Sequence, residues 1–229
     1  MLALIDSDSL LYRVGFSSED EEEWIAKARL DETLTELVDD ELNECTDHNF
    51  YISGSENFRF GIAKTHPYKG NREKLKRPTH LQALRDHIVK KWNAEISQGM
   101  EADDVVSIMS YKHPKSIIAH IDKDLDQIPG SHYNYVKKVF YNVGKTEALR
   151  KLYTQALVGD TVDNIKGVRG IGPKKAEKLL KDCHTEETLY NTVLSVYNNS
   201  MENGEERLHE NMQLLYLLRS EDDEWRKPE

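Results

Sequence analysis

The 229-residue sequence predicts an α/β domain that carries a helical subdomain. Three observations lead there. Short apolar runs, "LALID" and "SIIAHI" foremost, alternate with stretches of helical apolar spacing through the first two thirds of the chain. Beyond about Val158 the spacing is helical throughout, and strands followed by a block of helices is the pattern of an α/β body with an appendage. Both apolar runs end in carboxylates, Asp6 and Asp122, and open α/β sheets bind ligands outside the carboxyl ends of their strands.

Taken in order, "LALID" reads as the first strand and "SLLYRVGF" as the turn and helix after it. "EEEWIAKARLDETLTELVDDEL" follows with Trp24, Ala28, Leu34, Leu37 and Val38 at helical spacing. "FYIS" and "FRFGI" read as short strands, then "THLQALRDHIVKKW" as a helix. "EADDVVSIMSY" opens a helix with three acids in its first turn. "SIIAHI" is a buried strand, "YNYVKKVFYNV" an edge hairpin, and "TEALRKLYTQAL" a helix. The remainder is a hairpin motif followed by the helices "EETLYNTVLSVY" and "ERLHENMQLLYLL". The domains expected are 1–157, with a basic arch at about 64–93, and a helical subdomain over 158–229.

A hydrophobic fraction of 38% suffices for a core at this length. No apolar run approaches the ~18–20 residues of a membrane span, and the N-terminus lacks a signal peptide's basic start and small-residue cleavage site. Cys45 and Cys183 match neither a disulfide framework nor a zinc ligand set. The expected setting is cytoplasmic and reducing, with no membrane partner.

A net charge of −10 argues at first against nucleic acid, but the charge is unevenly spread. Residues 17–47 hold 13 acids and 2 bases, while 64–93 hold 9 bases and 2 acids, and 166–181 hold 6 bases and 1 acid. Two basic islands in an acidic chain suit a surface that holds an anion, although a solvated helix face accounts for a charge run equally well.

Four carboxylate groups stand out: Asp6 with Asp8; Glu101, Asp103 and Asp104; Asp122, Asp124 and Asp126; and Asp160 with Asp163. Each has a structural role open to it. Acids in a first helical turn cap free amides and complement the helix dipole, and aspartates form turns. Four groups of acids near strand and helix ends exceed what caps require. Carboxylates packed together repel unless cations neutralise them, and all-oxygen sites suit magnesium or manganese. In "GVRGIGPKKAEKLL", Gly170 and Gly172 let the backbone approach a ligand ahead of a lysine-rich helix, whose free amides suit phosphate. Such a turn grips a sugar–phosphate backbone without reading sequence.

The order "LIDSDSLLYR", "YKGNREK", "EADDVV", "HIDKDLDQI", "VGDTVDNIKGVRGIGPKKA" resembles the 5′-nuclease family of flap endonucleases and 5′→3′ exonucleases, most nearly its stand-alone bacteriophage members. The resemblance spans roughly Leu2 to Leu180, and "LLYLLRSEDDEWRKP" resembles the phage tail more weakly. It implies a PIN-like fold: a mixed, mainly parallel sheet flanked by helices, an arch, and a helix-hairpin-helix that binds duplex DNA and a potassium ion. It implies one metal site from Asp6, Glu101, Asp103 and Asp104, and a second from Asp122, Asp124, Asp160 and Asp163, holding two Mg²⁺ or Mn²⁺ ions. It makes Lys69 and Arg72 the basic pair at the scissile phosphate, with Tyr68 beside them. The duplex contacts are then Lys74, Lys76, Arg77, Gly170, Gly172, Lys174 and Lys175. Asp8 and Asp126 lie outside the family pattern.

The implied activity is two-metal hydrolysis of DNA at a 5′ end or flap by a monomer, in phage replication or recombination within the host cytoplasm. Cleavage of RNA–DNA hybrids, or non-catalytic recognition of DNA structure, are the rival functions. A pure binder gains nothing from carboxylates that face DNA. One departure is present: Gly54 stands where family members carry an aspartate, which leaves Ser53, Ser55 or Glu56 to replace it.

Overall fold

The computed structural model describes residues 1–72 and 75–228. Lys74, one of the expected DNA contacts, lies outside them. The chain divides into two compact units, 1–57 with 76–143 and 58–75 with 144–229. The expected boundary between 157 and 158 differs from this division. The helix that ends at Val158 belongs to the second unit, and so does the short insertion at 58–75. The expected arch therefore falls partly in each unit.

The first unit is built on a six-stranded sheet, ordered β3-β2-β1-β4-β5-β6. The strands are β1 (Leu2–Asp6), β2 (Asp47–Ile52), β3 (Glu95–Ile96), β4 (Ile117–His120), β5 (Gly130–Asn134) and β6 (Val139–Val143). All pairs are parallel except β5–β6, which forms the expected antiparallel edge hairpin. β1 and β4 are central and paired, with Leu4 opposite Ile118. A central parallel strand is covered on both faces, which is why each reads as an unbroken apolar run. β3, only two residues long, has no such signature.

The helices of this unit are α1 (Asp8–Ser17), α2 (Glu23–Thr35), α4 (Leu81–Trp92) and α5 (Ala102–Lys112). α2 buries Ala26, Leu30 and Leu34, not the expected Trp24 and Ala28, which are exposed. The helix continues as a π-helical turn over Glu36–Glu41, where the Leu42 amide donates to the Leu37 carbonyl at 2.9 Å. α4 ends where Asn93 takes a left-handed conformation, φ 54°, and its amide closes on Ile88.

The charge segregation of the sequence is largely resolved inside this unit. Lys91 and His87 both meet Asp31 of α2, at 2.8 and 2.9 Å, and the Trp92 indole donates to the same carboxylate. Lys76 pairs with Glu19 at 2.7 Å, and its hydrogen bond is the largest cause pulling that carboxyl down to about 2. Part of the basic island thus complements the acidic segment, and Lys76, expected on DNA, is one of these partners.

The second unit contains α3 (Arg59–Ile62), α6 (Lys145–Val158), α7 (Pro173–Leu180), α8 (Glu186–Ser200) and α9 (Gly204–Leu215), with a two-stranded ribbon of β7 (Gly159–Asp160) and β8 (Ile165–Lys166). Two expectations are corrected. "FRFGI" is helical, because Arg59 turns inward and donates to the Leu214 and Tyr216 carbonyls at 2.9 and 2.8 Å. A guanidinium at the end of α9 satisfies carbonyls that the helix leaves free. The region after Val158 is not all helix, because Gly159 and Gly167 let two backbone segments touch. A Cβ on Gly159 would stand 2.3 Å from the Gly167 nitrogen.

Candidate active site

In the first unit the acids gather at the carboxyl ends of β1 and β4. Asp6 ends β1 and is 2% exposed. Asp122 follows β4 by two residues and heads a 3₁₀ turn over Lys123–Gln127, its carboxylate accepting from the Asp124 amide at 2.8 Å. Asp103 lies in the first turn of α5. Asp6 and Asp103 both feel the Asp122 charge. Desolvation first, then the charges of Asp8 and Asp122, hold the Asp6 carboxyl well above the usual range. Asp103 is raised in the same way, first by desolvation and then by Asp6 and Asp122. The Tyr135 phenol is raised well above its ordinary value by burial and then by Asp6, Asp103 and Asp122, so it borders the same group. Sequence reading missed Tyr135, which stands in a hairpin loop with nothing local to mark it.

The other acids of this unit divide by role. Asp104 is fully buried and accepts from the Glu101 amide at 3.1 Å, which closes the start of α5. Glu101 is the residue before that helix and is half-buried. Asp124 sits half-buried in the 3₁₀ turn. Asp8 acts as a tie: it accepts from the Ser53 amide at 2.9 Å and from Arg85 at 3.2 Å.

Gly54 has its own cause. A Cβ there would meet the Ser97 carbonyl oxygen at 2.3 Å, while the Gly54 amide donates to Ser97 Oγ at 3.1 Å. No side chain fits on the backbone as it stands. Ser53 Oγ accepts from the Ala102 amide at 3.0 Å, and Ser55 and Glu56 are exposed.

In the second unit Asp160, 4% exposed, accepts from the Val162 and Asp163 amides at 2.7 and 3.2 Å and so shapes the turn between β7 and β8. Asp163 is the hub of the basic segment. Its Oδ1 receives Arg72 at 2.6 Å and stands 3.9 Å from Lys69 Nζ; its Oδ2 receives the Tyr68 hydroxyl at 2.8 Å. The backbones are joined as well. The Lys69 amide donates to the Asp163 carbonyl, Asn71 to Thr161, Arg72 Nε to Val162, and Asn164 to Pro67. Lys69 and Asn164 both take left-handed backbone, φ 55° and 61°, a conformation that costs an ordinary residue about 1–2 kcal/mol and persists where surrounding contacts over-determine it. The Lys69 ammonium also lies 5.2 Å from the Tyr68 ring centre.

Gly170 is left-handed, φ 79°, and Gly172 precedes α7, whose first residue is Pro173. Lys174 and Lys175 are exposed on the first turn of that helix. Arg77 is exposed in the first unit. The structure thus brings together Asp6, Asp103 and Asp122 in one unit, and Tyr68, Lys69, Arg72 and Asp163 in the other.

A family model for the 5′-3′ exonuclease C-terminal SAM fold matches residues 149–221. Flap endonuclease Xni of Shewanella baltica strain OS155 is 30% identical over 141 residues, covering 55% of this chain and 54% of that protein. The chain therefore matches about half the length of the curated relative. Among solved structures, bacteriophage T5 D15 protein co-crystallised with metal ions aligns over 93% of this chain and 88% of its own, with a TM-score of 0.68 and 17% identity. The catalytic core of Rad2 in complex with DNA substrate aligns over 90% and 66%, with a TM-score of 0.56 and 12% identity. At such identities the structures show the fold: a mixed, mainly parallel sheet with flanking helices. The chain is thus similar to 5′-nucleases in three respects: the matched segment at 149–221, the flap-endonuclease relatives over about half their length, and the shared fold.

Proposed function

We propose that the chain is a divalent-metal-dependent, structure-selective 5′-nuclease that hydrolyses DNA phosphodiesters at a free 5′ end or flap. One observation carries the reading: Asp6, Asp103 and Asp122 crowd at the carboxyl ends of two central strands, with the first two raised well above ordinary carboxylate values. Such a group is stable at neutral pH with a cation among it. The donors are all hard oxygens, which fit Mg²⁺ or Mn²⁺. When bound, such ions supply a nucleophilic water and neutralise charge on the reacting phosphate. Potassium at the Gly170 turn belongs to the same reading.

The chain's own residues do the rest. Asp6, Asp103 and Asp122 would hold the cation. Lys69 and Arg72 offset charge on the phosphate, which lowers the barrier when that charge grows in the transition state. Asp163 fixes both side chains before substrate arrives. Exposed Lys174 and Lys175 hold the duplex backbone; structures of similar fold, T5 D15 flap endonuclease and the Rad2 core, are complexes with DNA. No described helix is long and apolar enough to cross a membrane.

The test supplies magnesium and compares 5′-labelled flap, nicked duplex, blunt duplex and RNA–DNA hybrid. Cleavage at the 5′ end or flap junction of DNA, lost in chelator and restored by magnesium or manganese, is expected. Full activity in excess chelator overturns the reading.

A further inference from the structure

Asp126 has no part in the nuclease reading, and neither do the two histidines beside it. His120 and His132, on neighbouring strands β4 and β5, are 1% and 0% exposed. His120 Nδ1 lies 2.6 Å from the Asp122 carbonyl oxygen, and His132 Nε2 lies 2.8 Å from the Ile128 carbonyl oxygen. A carbonyl only accepts, so each neutral ring carries its proton on that outer nitrogen. The inner nitrogens, His120 Nε2 and His132 Nδ1, then face each other as two acceptors 2.9 Å apart. A cation placed between them would be met by both lone pairs.

Around that point stand the Asp126 carboxylate, whose oxygen lies within 4.8 Å of both ring nitrogens, and the Tyr141 hydroxyl. Tyr141 is 3.1 Å from His120 Nε2 and donates to Asp126 at 2.9 Å. We infer that His120, His132 and Asp126 form a site for a transition-metal ion of the zinc class, separate in chemistry from the all-oxygen acids of β1 and α5. Two imidazole nitrogens and a carboxylate are a borderline donor set that favours zinc or cobalt over magnesium. Tetrahedral bonds of ~2.0–2.1 Å place two nitrogens ~3.3 Å apart, so the rings have to separate by only about 0.4 Å. Each ring's outer N–H is already held by a backbone carbonyl, the arrangement that fixes metal-binding histidines.

The site has a structural consequence. His120 bonds the carbonyl of Asp122, so a metal there anchors the backbone that carries that carboxylate and ties β4, the 3₁₀ turn and β5 together. A proton shared between the rings is the rival occupant.

The experiment dialyses the full chain against zinc or cobalt in excess magnesium and counts the metal retained. One metal per chain is expected, with the strong visible absorption of tetrahedral cobalt. It should vanish in His132→Asn and persist in Asp103→Asn. Because His132 is buried and its variant can misfold, the half-exposed Asp126→Asn supplies a second arm: zinc affinity should fall by at least about tenfold. Failure of the wild type to retain zinc or cobalt overturns the inference in favour of the shared proton. Retention by Asp126→Asn with loss in Asp103→Asn overturns it by placing the metal among the oxygen ligands.

Discussion

Two groups of aspartates in this molecule are managed in opposite ways. At the ends of β1 and β4, burial first and then neighbouring carboxylate charges, Asp122 among them, hold Asp6 and Asp103 above the usual carboxylate range. In the second unit Asp163 is neutralised by the chain itself, through Arg72 at 2.6 Å, the Tyr68 hydroxyl and Lys69. The first arrangement invites a cation from solution. The second uses a carboxylate to organise cations that the protein already owns. Identical side chains in one sequence therefore carry different electrostatic instructions, set by what folds against them.

The largest effect expected from this contrast is on cleavage. Asp103→Asn should lower the rate by at least about 10²–10³-fold, yet leave the metal-free melting temperature at pH 7 unchanged or higher, because a repulsion is removed. Asp163→Asn should also slow cleavage but should lower the metal-free stability. Arg72 and Tyr68 lose a charged partner, worth about 1–2 kcal/mol at this partly exposed site, or roughly 2–8 °C in Tm. Melting curves of both variants in chelator decide it, and shifts of the same sign would break the comparison.

A pH titration sharpens it next. Asp6 and Asp103 bind protons more tightly folded than unfolded, so the stability they confer is full below the ordinary carboxylate value and is lost as pH rises through their raised values. Metal-free protein should therefore gain Tm as pH falls from about 8 toward 5, above the range where ordinary carboxylates titrate. Saturating magnesium should remove the trend. A metal-free Tm that falls over this window would mean the acids are not crowded in solution.

The smallest effects separate the two kinds of lysine. Lys69→Ala should lower the single-turnover rate at saturating DNA more than it lowers affinity. The Lys174→Ala and Lys175→Ala double variant should leave that rate nearly unchanged and flatten the salt dependence of binding by about one unit of slope per lost phosphate contact. A double variant that binds normally and cuts slowly would remove the helix after Gly172 from the duplex.

What was legible in the sequence was local. An apolar run ending in acids announces a strand with carboxylates just past it, so the placement of Asp6 and Asp122 could be read directly. The helix start at Glu101 to Asp104 was equally plain, because acids cluster in a capped first turn. Partnerships across long stretches of chain were not. Nothing near Lys91 or Lys76 points to Asp31 and Glu19, so a basic run looked like an anion site where part of it is the complement of an acidic helix. "FRFGI" looked like a strand because a buried arginine that bonds carbonyls 155 and 157 residues away leaves no periodic trace. Tyr135 and the His120–His132 pair were missed for the same reason: strand pairing in space brings them to their partners.

The clamp on the basic segment also has a temporal side. Ribosomes deliver a chain in one direction, and Arg72 emerges 91 residues ahead of Asp163. At ~5–20 residues per second that interval is roughly 5–20 s. The anchors of Arg59 at Leu214 and Tyr216 emerge later still. Through that interval the Asp163 carboxylate that holds Arg72 in the folded chain has not yet been made. The Tyr68–Arg72 segment is thus organised only once Asp163 has emerged.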